Sequence, residues 1–432
     1  MYLELKSKIE SNKARIGIIG LGYVGLPLAV EFAKAGFDVT GFEIDNAKVK
    51  SINMGKSYIS DVATAALSPL VKDKRLKASA DFSRLKGMDA IITCVPTPLR
   101  KSKDPDVSYI ISATSSIFQS LKKGQLIILE STTYPGTTRE LVQPMLEQGG
   151  LKCGVDYFLA FSPERVDPGN SRYGIHNTAK VVGGVTHKCG TLAEMLYARI
   201  TNKVVRVSST EAAEMVKLLE NTFRAVNIAL VNEVALMCDR LNLDVWEIID
   251  AAASKPFGYI PFYPGPGIGG HCIPLDPHYL SWKLKTLNFY SRFIELAGEM
   301  NSRMPEHLVR KVVDALNDAG KTIRNAAILV IGVAYKKDVS DLRESPALDV
   351  MNLLWKRHAK LAYYDPYVKS VHIDGASFKS VGDLNAVGSY DAVVIVTDHS
   401  NIDYGHIVKN AKMVIDSRNA TRGIKSKNVV KL

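Results

Sequence analysis

A glycine-rich fingerprint near the N-terminus constrains the fold of this 432-residue chain more than any other feature. Residues 16–19 predict a short buried strand and residues 24–35 a helix, and Gly20, Gly22 and Gly25 lie at their junction in the order GxGxxG. In this context main-chain N–H groups can meet a pyrophosphate at the helix N-terminus, where the helix dipole favours negative charge. The pattern therefore predicts a dinucleotide-binding βαβ unit rather than a glycine turn without a ligand.

A second predicted strand, residues 37–43, ends on an acidic side chain. Glu43 follows the glycines by about 20 residues, the spacing at which a carboxylate accepts hydrogen bonds from ribose hydroxyls. The same carboxylate would repel the 2′-phosphate of NADP. The predicted cofactor is therefore NAD.

Strands and helices alternate through the first half of the chain and again after Gly320. Further predicted strands are residues 90–95, 126–130, 157–161, 180–183, 326–335, 359–366, 392–398 and 412–417, and residues 345–356 predict a helix. Such alternation predicts parallel, doubly wound sheets with ligands at the carboxyl ends of the strands. The second half has no GxGxxG, so we expect no second dinucleotide there.

The middle of the chain has helical periodicity instead. Predicted helices cover residues 211–241, 245–253 and 290–317, with Pro305 as a kink or break in the last. We therefore predict an α/β protein with two doubly wound Rossmann-like domains joined by a central helical domain with a long helix. The predicted limits are 1–207 for the NAD-binding domain, 208–318 for the helical domain and 319–432 for the second Rossmann-like domain.

Composition narrows the class of ligand and the compartment. The net charge of +11 suits a polyanion such as a sugar nucleotide, whereas the scattered Lys and Arg residues make a nucleic acid the weaker alternative. The apolar run at residues 16–30 is too short and too glycine-rich for membrane insertion. Five cysteines without a CxxC pair favour neither disulfides nor zinc, so we expect a cytoplasmic protein.

The segment FYPGPGIGGHCIPLDP, residues 262–277, places Cys272 in a glycine–proline loop. Glycines allow close approach of backbone to a ligand and prolines stiffen the loop, so Cys272 is predicted to be a nucleophile rather than a core residue. The other cysteines are interpreted as structural: Cys94 and Cys238 in core packing, Cys153 and Cys189 as ordinary loop or helix residues.

Several charged residues have two interpretations each. Lys217 and Asn221 share a face of the long helix. Apolar residues surround them on several faces and indicate that this helix is mostly buried. A buried lysine could serve as a general base, whereas an exposed one would be a solvated side chain. Asp276 fits either a turn or a carboxylate that positions water. The same choice, between a ligand-binding crevice and solvated surface, applies to Glu164, Arg165, Lys336, Lys337 and Arg343.

Six motifs occur together in one order: GLGYVGLP, ESTTYPGTT, SPERVDPGN, EMVKLLENTFRAVNIALVNE, FYPGPGIGGHCIPLDP and YKKDVSDLRESPA. Their combination resembles the UDP-glucose/GDP-mannose dehydrogenase family over nearly the whole chain. Within it, PERVDPG, HNTAKVVGGV and FYPGPGIGGHCIPLDPHYL are most similar to those of UDP-N-acetyl-D-glucosamine 6-dehydrogenases, which serve surface polysaccharide synthesis. UDP-N-acetylmannosamine and UDP-glucose are the alternative substrates.

The resemblance implies that the sugar C6 hydroxyl is oxidised twice, with two NAD, to a carboxylate. Cys272 would attack the intermediate aldehyde, giving a thiohemiacetal and then a thioester that water hydrolyses. Lys217 would be the acid/base lysine and Asn221 the oxyanion stabiliser. The remaining implied catalytic residues are Asp276 and Thr132, which order water, and Glu164, which performs acid/base work.

The resemblance also implies the binding residues and a homodimer through the central helices. The implied cofactor contacts are Gly20, Gly22, Tyr23, Val24, Gly25, Glu43, Lys48, Thr97, Thr132 and Arg343, the last reaching between both ligands. The implied UDP-sugar contacts are Arg165, Val166, Lys217, Asn221, Arg224, Gly265, Gly267, Lys336 and Lys337.

The sequence departs from the pattern at two positions. Pro168 replaces a second glutamate, and Pro256 lies near an arginine position for which Lys255 is a weak substitute. Two other classes of function compete. A two-electron dehydrogenase would not need Cys272, and a non-catalytic nucleotide-binding protein would need neither Cys272 nor Lys217.

Overall fold

The computed structural model of the chain describes residues 1–59, 61–99, 104–166, 172–270 and 272–432; Pro168 lies outside this part. The chain divides into two compact units. The first comprises Met1–Glu220 and His278–Asn288, and the second Asn221–Pro277 and Phe289–Leu432. None of the described helices is both long and apolar enough to cross a membrane.

The first unit is built on one sheet of eight strands. The strands are β1 Arg15–Ile19, β2 Asp38–Phe42, β3 Leu76–Ser79, β4 Ala90–Thr93, β5 Leu126–Leu129, β6 Phe158–Phe161, β7 Lys180–Gly184 and β8 Val204–Val207. The helices are α1 Tyr2–Glu10, α2 Gly25–Lys34, α3 Asn46–Asn53, α4 Thr64–Lys72, α5 Ser108–Ser120, α6 Gln143–Glu147 and α7 His187–Tyr197, with a 3₁₀ segment at Phe82–Gly87 and a π-helical turn at Thr137–Val142.

Strand order in this sheet is β3-β2-β1-β4-β5-β6-β7-β8. All neighbours run parallel except β6 and β7, which pair antiparallel. The inner strands β4, β5 and β6 are buried along their whole length. Helices cover both faces of such a sheet, which is why these strands read as continuous apolar runs in the sequence. The predicted parallel sheet is confirmed, except for the antiparallel pair.

Helix α8, Thr210–Leu241, is the predicted long helix, and the division between the units falls within it. Ser209 caps its first turn, since Oγ accepts a hydrogen bond from the main-chain N–H of Ala212 at 3.1 Å. α9 spans Val245–Ala253, as predicted. α10, Asp276–Lys285, was not expected, because the preceding Gly-Pro sequence predicts only a loop.

Helix α11 covers Arg292–Asp318 and contains Pro305 in its interior. A proline removes one intrahelical hydrogen bond, but it does not end the helix where tertiary packing holds both sides. Pro305 and the nearby Met304 and Leu308 are all buried, and the helix continues through Pro305. Of the predicted kink or break, the break is therefore wrong, and the kink stays a prediction.

The second unit carries the smaller sheet, built from β9 Ala327–Ile331, β10 Lys360–Tyr364, β13 Ala392–Ile395, β14 Val414–Asp416 and β15 Val429–Lys431. Their order, β10-β9-β13-β14-β15, is parallel throughout. Helices α12 Pro346–Lys356 and α13 Tyr404–Asn410 and an antiparallel hairpin, β11 Ser370–Ile373 with β12 Ala376–Lys379, complete it. The predicted fold class is confirmed; the residue limits of the three domains stay a prediction.

Candidate active site

The glycine fingerprint connects β1 to α2 by a tight turn. Gly20 has a φ of +88°, and any side chain at Gly25 would overlap the carbonyl oxygen of Gly20. A Cβ at Gly22, by contrast, would meet no atom of the described residues within 4 Å. No side chain in the described structure caps the N-terminus of α2. The turn thus offers helix N–H groups and open space beside Gly22, which fits a pyrophosphate.

Glu43 follows β2 and is 8% exposed. Its Oε2 accepts a hydrogen bond from the N–H of Leu21 at 3.2 Å, and its Oε1 accepts from the N–H of Ile44 at 2.9 Å. Lys48 lies 4.0 Å from the same carboxylate. The N–H of Asp45 also donates to Oε1, at 3.2 Å, which leaves about one of the four acceptor positions of a carboxylate for a ribose hydroxyl beside the glycine turn. The residues present therefore fit the adenosine half of NAD.

Two further cofactor-contact predictions lie after β4 and β5. Thr97 is in the loop after β4, and its carbonyl oxygen accepts a hydrogen bond from the hydroxyl of Tyr279 at 2.5 Å. Thr132 follows β5 and is half-buried. Tyr279 was not identified from the sequence, because its helix α10 was not predicted. Of the other predicted contacts, Tyr23 is 52% exposed and Val24 is the N-cap residue of α2.

Lys217 is buried, as its apolar neighbours predicted, with 8% exposure. Its Nζ donates a hydrogen bond to the main-chain oxygen of Glu164 at 2.7 Å. Arg165 follows Glu164 in the sequence. Its guanidinium donates a hydrogen bond to the Ala179 carbonyl at 2.6 Å and pairs with Glu220 at 2.6 Å. The structure therefore brings Lys217 together with Glu164 and Arg165, although Glu164 precedes Lys217 by 53 residues.

The Glu164 side chain points to a buried lysine. Its Oε2 lies 3.0 Å from Nζ of Lys180, and its Oε1 accepts from the N–H groups of Arg165 at 2.7 Å and Val166 at 2.5 Å. Burial by itself would raise the pKa of Glu164, but the Lys180 ammonium and the Val166 N–H outweigh it and lower the pKa to about 2. Glu164 is therefore an anchored carboxylate at neutral pH.

Lys180 also contacts Glu130, whose other oxygen accepts from the hydroxyl of Tyr197. These three residues were not identified from the sequence. One signal was available: Lys180 opens the apolar run KVVGG, where a lysine must find a buried partner.

In the second unit, the Asn221 amide nitrogen donates to the carboxylate of Asp276, and Arg224 donates to the amide oxygen of Asn221. Asn221 and Asp276 are 1% and 3% exposed. The carbonyl of Cys272 accepts from the N–H of Asp276 at 2.8 Å. Three predicted catalytic residues, Cys272, Asp276 and Asn221, thus lie around the start of α10.

The loop before Cys272 depends on glycines at close contacts. Gly267 has a φ of +130° and Gly270 a φ of +91°, and the N–H of Gly270 donates to the Arg343 carbonyl at 3.0 Å. Gly265 donates its N–H to the side-chain oxygen of Asn232 at 2.9 Å. The half-buried side chain of Arg418 lies against Gly265 and was not identified from the sequence.

The predicted phosphate-binding residues Lys336 and Lys337 lie in the loop after β9, where Lys336 is half-buried and Lys337 exposed. The loop is anchored by buried His399, whose Nδ1 accepts from the N–H of Asp338 at 2.9 Å. Arg343 is predicted to reach between two ligands, and its guanidinium pairs with Asp341 at 2.5 Å. Lys255 is exposed, beside Phe257.

Sequence profiles of the UDP-glucose/GDP-mannose dehydrogenase family match three parts of the chain: the NAD binding domain at residues 14–201, the central domain at 211–303 and the UDP binding domain at 329–423. The UDP-N-acetyl-D-mannosamine dehydrogenase of Pyrococcus horikoshii is 38% identical over 94% of this chain and 95% of its own. The UDP-N-acetyl-D-glucosamine 6-dehydrogenase of Pseudomonas aeruginosa is 34% identical over 89% and 90%.

A solved structure agrees with these matches. That of the Pyrococcus horikoshii UDP-D-ManNAc dehydrogenase superposes with a TM-score of 0.88 at 36% identity, covering 96% of this chain and 98% of its own. The glycine turn with Glu43 and the matched NAD-binding domain agree on the cofactor, NAD. This chain belongs to the UDP-glucose/GDP-mannose dehydrogenase family and is an NAD-dependent nucleotide-sugar dehydrogenase.

Proposed function

We propose that the enzyme oxidises the C6 hydroxyl of a UDP-N-acetylhexosamine to a carboxylate, for surface polysaccharide synthesis. The observation that carries the proposal is the placement of Cys272 at the turn that opens α10, next to the buried pair of Asn221 and Asp276. A two-electron dehydrogenase would not need a half-buried thiol there. A four-electron oxidation does, because the aldehyde formed first must be held for the second oxidation.

For the sugar, the N-acetylmannosamine epimer is the first candidate. Relatives named UDP-N-acetyl-D-mannosamine dehydrogenases reach 38% identity, against 34% for the relative named a UDP-N-acetyl-D-glucosamine 6-dehydrogenase. The glucosamine epimer, which the motifs favoured, is the second candidate and stays a prediction. The two epimers differ only in the direction in which C2 carries its acetamido group, so a modest difference in pocket contacts decides between them.

NAD, when bound, supplies the hydride acceptor for both oxidations. We assign to Lys217 the removal of the C6 hydroxyl proton in the first oxidation. The Cys272 thiolate then adds to the aldehyde carbon, giving a thiohemiacetal alkoxide. A helix N-terminus favours the thiolate, and Cys272 lies at the turn before α10.

Asn221 has a second amide hydrogen beyond the one donated to Asp276, and that hydrogen would stabilise the alkoxide. Loss of hydride from this alkoxide leaves a thioester on Cys272. Asp276, with Thr132, would order the water that attacks the thioester carbonyl. The carbon–sulfur bond then breaks, releasing the sugar carboxylate and the free thiol.

We also propose a homodimer through the central helices, in the cytoplasm. Phe223, Leu230 and Met237 recur every seven residues along α8 and are 46%, 54% and 50% exposed. This spacing places them on one face of the helix, an apolar stripe of the kind that pairs with another helix.

The test is the stoichiometry of NADH formation with purified enzyme and a panel of the N-acetylmannosamine, N-acetylglucosamine and glucose forms of the UDP-sugar. We expect two NADH per molecule of UDP-N-acetylmannosamine consumed and a carboxylate product by mass spectrometry. One NADH per sugar would contradict the four-electron mechanism. Faster turnover of UDP-N-acetylglucosamine would make the glucosamine epimer the first candidate substrate.

A further inference from the structure

We infer that Lys180 is a positioning residue: by holding the Glu164 side chain it fixes the Glu164 carbonyl that accepts the hydrogen bond from Lys217. The acid/base role of Lys217 rests on the proposed function. The contacts among Lys180, Glu164 and Lys217 do not depend on it. All three residues belong to the first unit.

Lys180 lies between two carboxylates that follow the carboxyl ends of strands β5 and β6. It is the first residue of β7 and is 5% exposed, while Glu130 follows β5 and Glu164 follows β6. Its ammonium contacts both carboxylates and lies 5.3 Å from the centre of the Tyr197 ring. A buried charge requires such partners, so the position of the ammonium is fixed by the two carboxylates and the ring.

The two carboxyl groups that contact Lys180 differ in protonation near neutral pH. Burial raises the pKa of Glu130 to about 7, while the pKa of Glu164 is lowered to about 2 by Lys180 and the Val166 N–H against the effect of burial. Glu130 therefore takes up a proton near neutral pH, and Glu164 remains the charged partner of Lys180. The ion pair that persists is therefore the one between Lys180 and Glu164, the residue whose carbonyl accepts the hydrogen bond from Lys217.

The Glu164 side chain closes a tight turn. One of its oxygens is held by Lys180 and the other by the N–H groups of Arg165 and Val166. Because both carboxylate oxygens are held, the side chain restrains the orientation of the Glu164 peptide. The carbonyl of that peptide accepts a hydrogen bond from Nζ of Lys217 at 2.7 Å. Removal of Lys180 would leave the carboxylate held through one oxygen only, and the Glu164 peptide that carries the acceptor of Lys217 would lose part of its restraint.

The experiment compares two variants of the full-length enzyme. Glu130→Gln removes a carboxylate that contacts Lys180 but leaves the pair with Glu164. Glu130→Gln combined with Lys180→Met removes the anchor. The double variant avoids two unpaired buried carboxylates, because Glu164 keeps two N–H donors and its side chain is 14% exposed.

The first measurement does not need a substrate. An amine-reactive anhydride labels lysines, and mass spectrometry gives the labelling rate of Lys217 relative to exposed Lys123. We expect the ratio to rise about three-fold or more from the single to the double variant, because an untethered amine is more accessible. Replacing Lys180→Met by Lys180→Arg should restore most of the original ratio, since Arg keeps the charge.

The second measurement is turnover. Misplacement of an acid/base group by about 1 Å can cost about 100-fold in rate, so kcat should fall strongly in the double variant while KM for NAD stays within about two-fold. An active enzyme whose labelling ratio and kcat are the same in both variants would overturn the role of Lys180. A wild-type enzyme inactive on every UDP-sugar, with a labelling ratio that still rises, would refute the proposed function and leave the role of Lys180 standing.

Discussion

The amide nitrogen of Asn221 donates a hydrogen bond to the carboxylate of Asp276, 55 residues further along the chain. Arg224 donates to the other end of the same amide, so the orientation of Asn221 is determined on both sides. Donors held in this way before substrate arrives cost no reorganisation during reaction. The pair ties the long helix α8 to the turn that carries Cys272.

Replacing Asn221 by Asp should destabilise the protein in a pH-dependent way. Two carboxylates would then share a buried site, and the free energy of unfolding should fall by about 1–3 kcal/mol at neutral pH. One of the two would have a raised pKa, so protonation at lower pH should restore part of the loss. Urea unfolding at several pH values measures this. Equal stability of Asn221→Asp and wild type at neutral pH would show that the two groups do not interact as described.

Cys272→Ser should abolish acid formation and leave the cofactor site intact. A serine hydroxyl is a far weaker nucleophile, so the rate of carboxylate formation should fall by at least about 100-fold. NADH absorbance and product mass measure turnover, and fluorescence titration measures NAD binding. Cys153→Ser is the matched control and should keep full activity. Normal acid formation by Cys272→Ser would remove Cys272 from the mechanism.

Glu43→Gln should shift cofactor preference towards NADP. The amide keeps the size of the side chain but removes the charge that repels a 2′-phosphate, so the ratio of NADP to NAD affinity should rise about ten-fold. Titration calorimetry with each dinucleotide measures it. Glu31→Gln, on α2 in an ion pair with Lys34, should leave the ratio unchanged. A ratio unaffected by Glu43→Gln would place the ribose elsewhere.

Glu130 should make the protein less stable as pH rises towards neutral. Burial raises its pKa from 4.5 to about 7, so the folded state binds a proton more tightly than the unfolded state between these values. The stability contributed by that proton is complete below the unfolded pKa and lost as pH passes the folded one, a change of about 3 kcal/mol. Glu130→Gln should lack this loss, so its unfolding free energy should rise relative to wild type from pH 4.5 to 8. The exposed Glu10→Gln serves as a control, and parallel profiles for all three proteins would contradict the prediction.

Local patterns in the sequence were sufficient to predict the first βαβ unit and NAD as the cofactor. Gly20, Gly25 and Glu43 lie within one βαβ unit, where a few residues of strand, turn and helix determine the geometry. The same holds for the long helix α8, whose predicted length is nearly the observed one. The helix α10 was missed because its first residues, Asp276 and Pro277, continue a loop-like sequence.

The contacts between distant segments could not be predicted in the same way. The sequence indicated that Lys217 is buried but not that its partner is the Glu164 carbonyl, because partners 53 residues apart meet only when strand order and helix packing are fixed. The pairing of Lys180 with Glu130 and Glu164 likewise depends on the neighbouring places of β5, β6 and β7 in the sheet.

The sequence by itself determined the fold class and the NAD-binding turn, and it predicted Cys272 as the nucleophile. These follow from short-range periodicity, glycine geometry and residue chemistry. Only the tertiary structure decided which charged groups are anchored and which are exposed, since burial and pairing set the state of a titratable group. Burial and pairing make Glu164 a fixed carboxylate held by Lys180. They likewise orient the amide of Asn221 between Arg224 and Asp276.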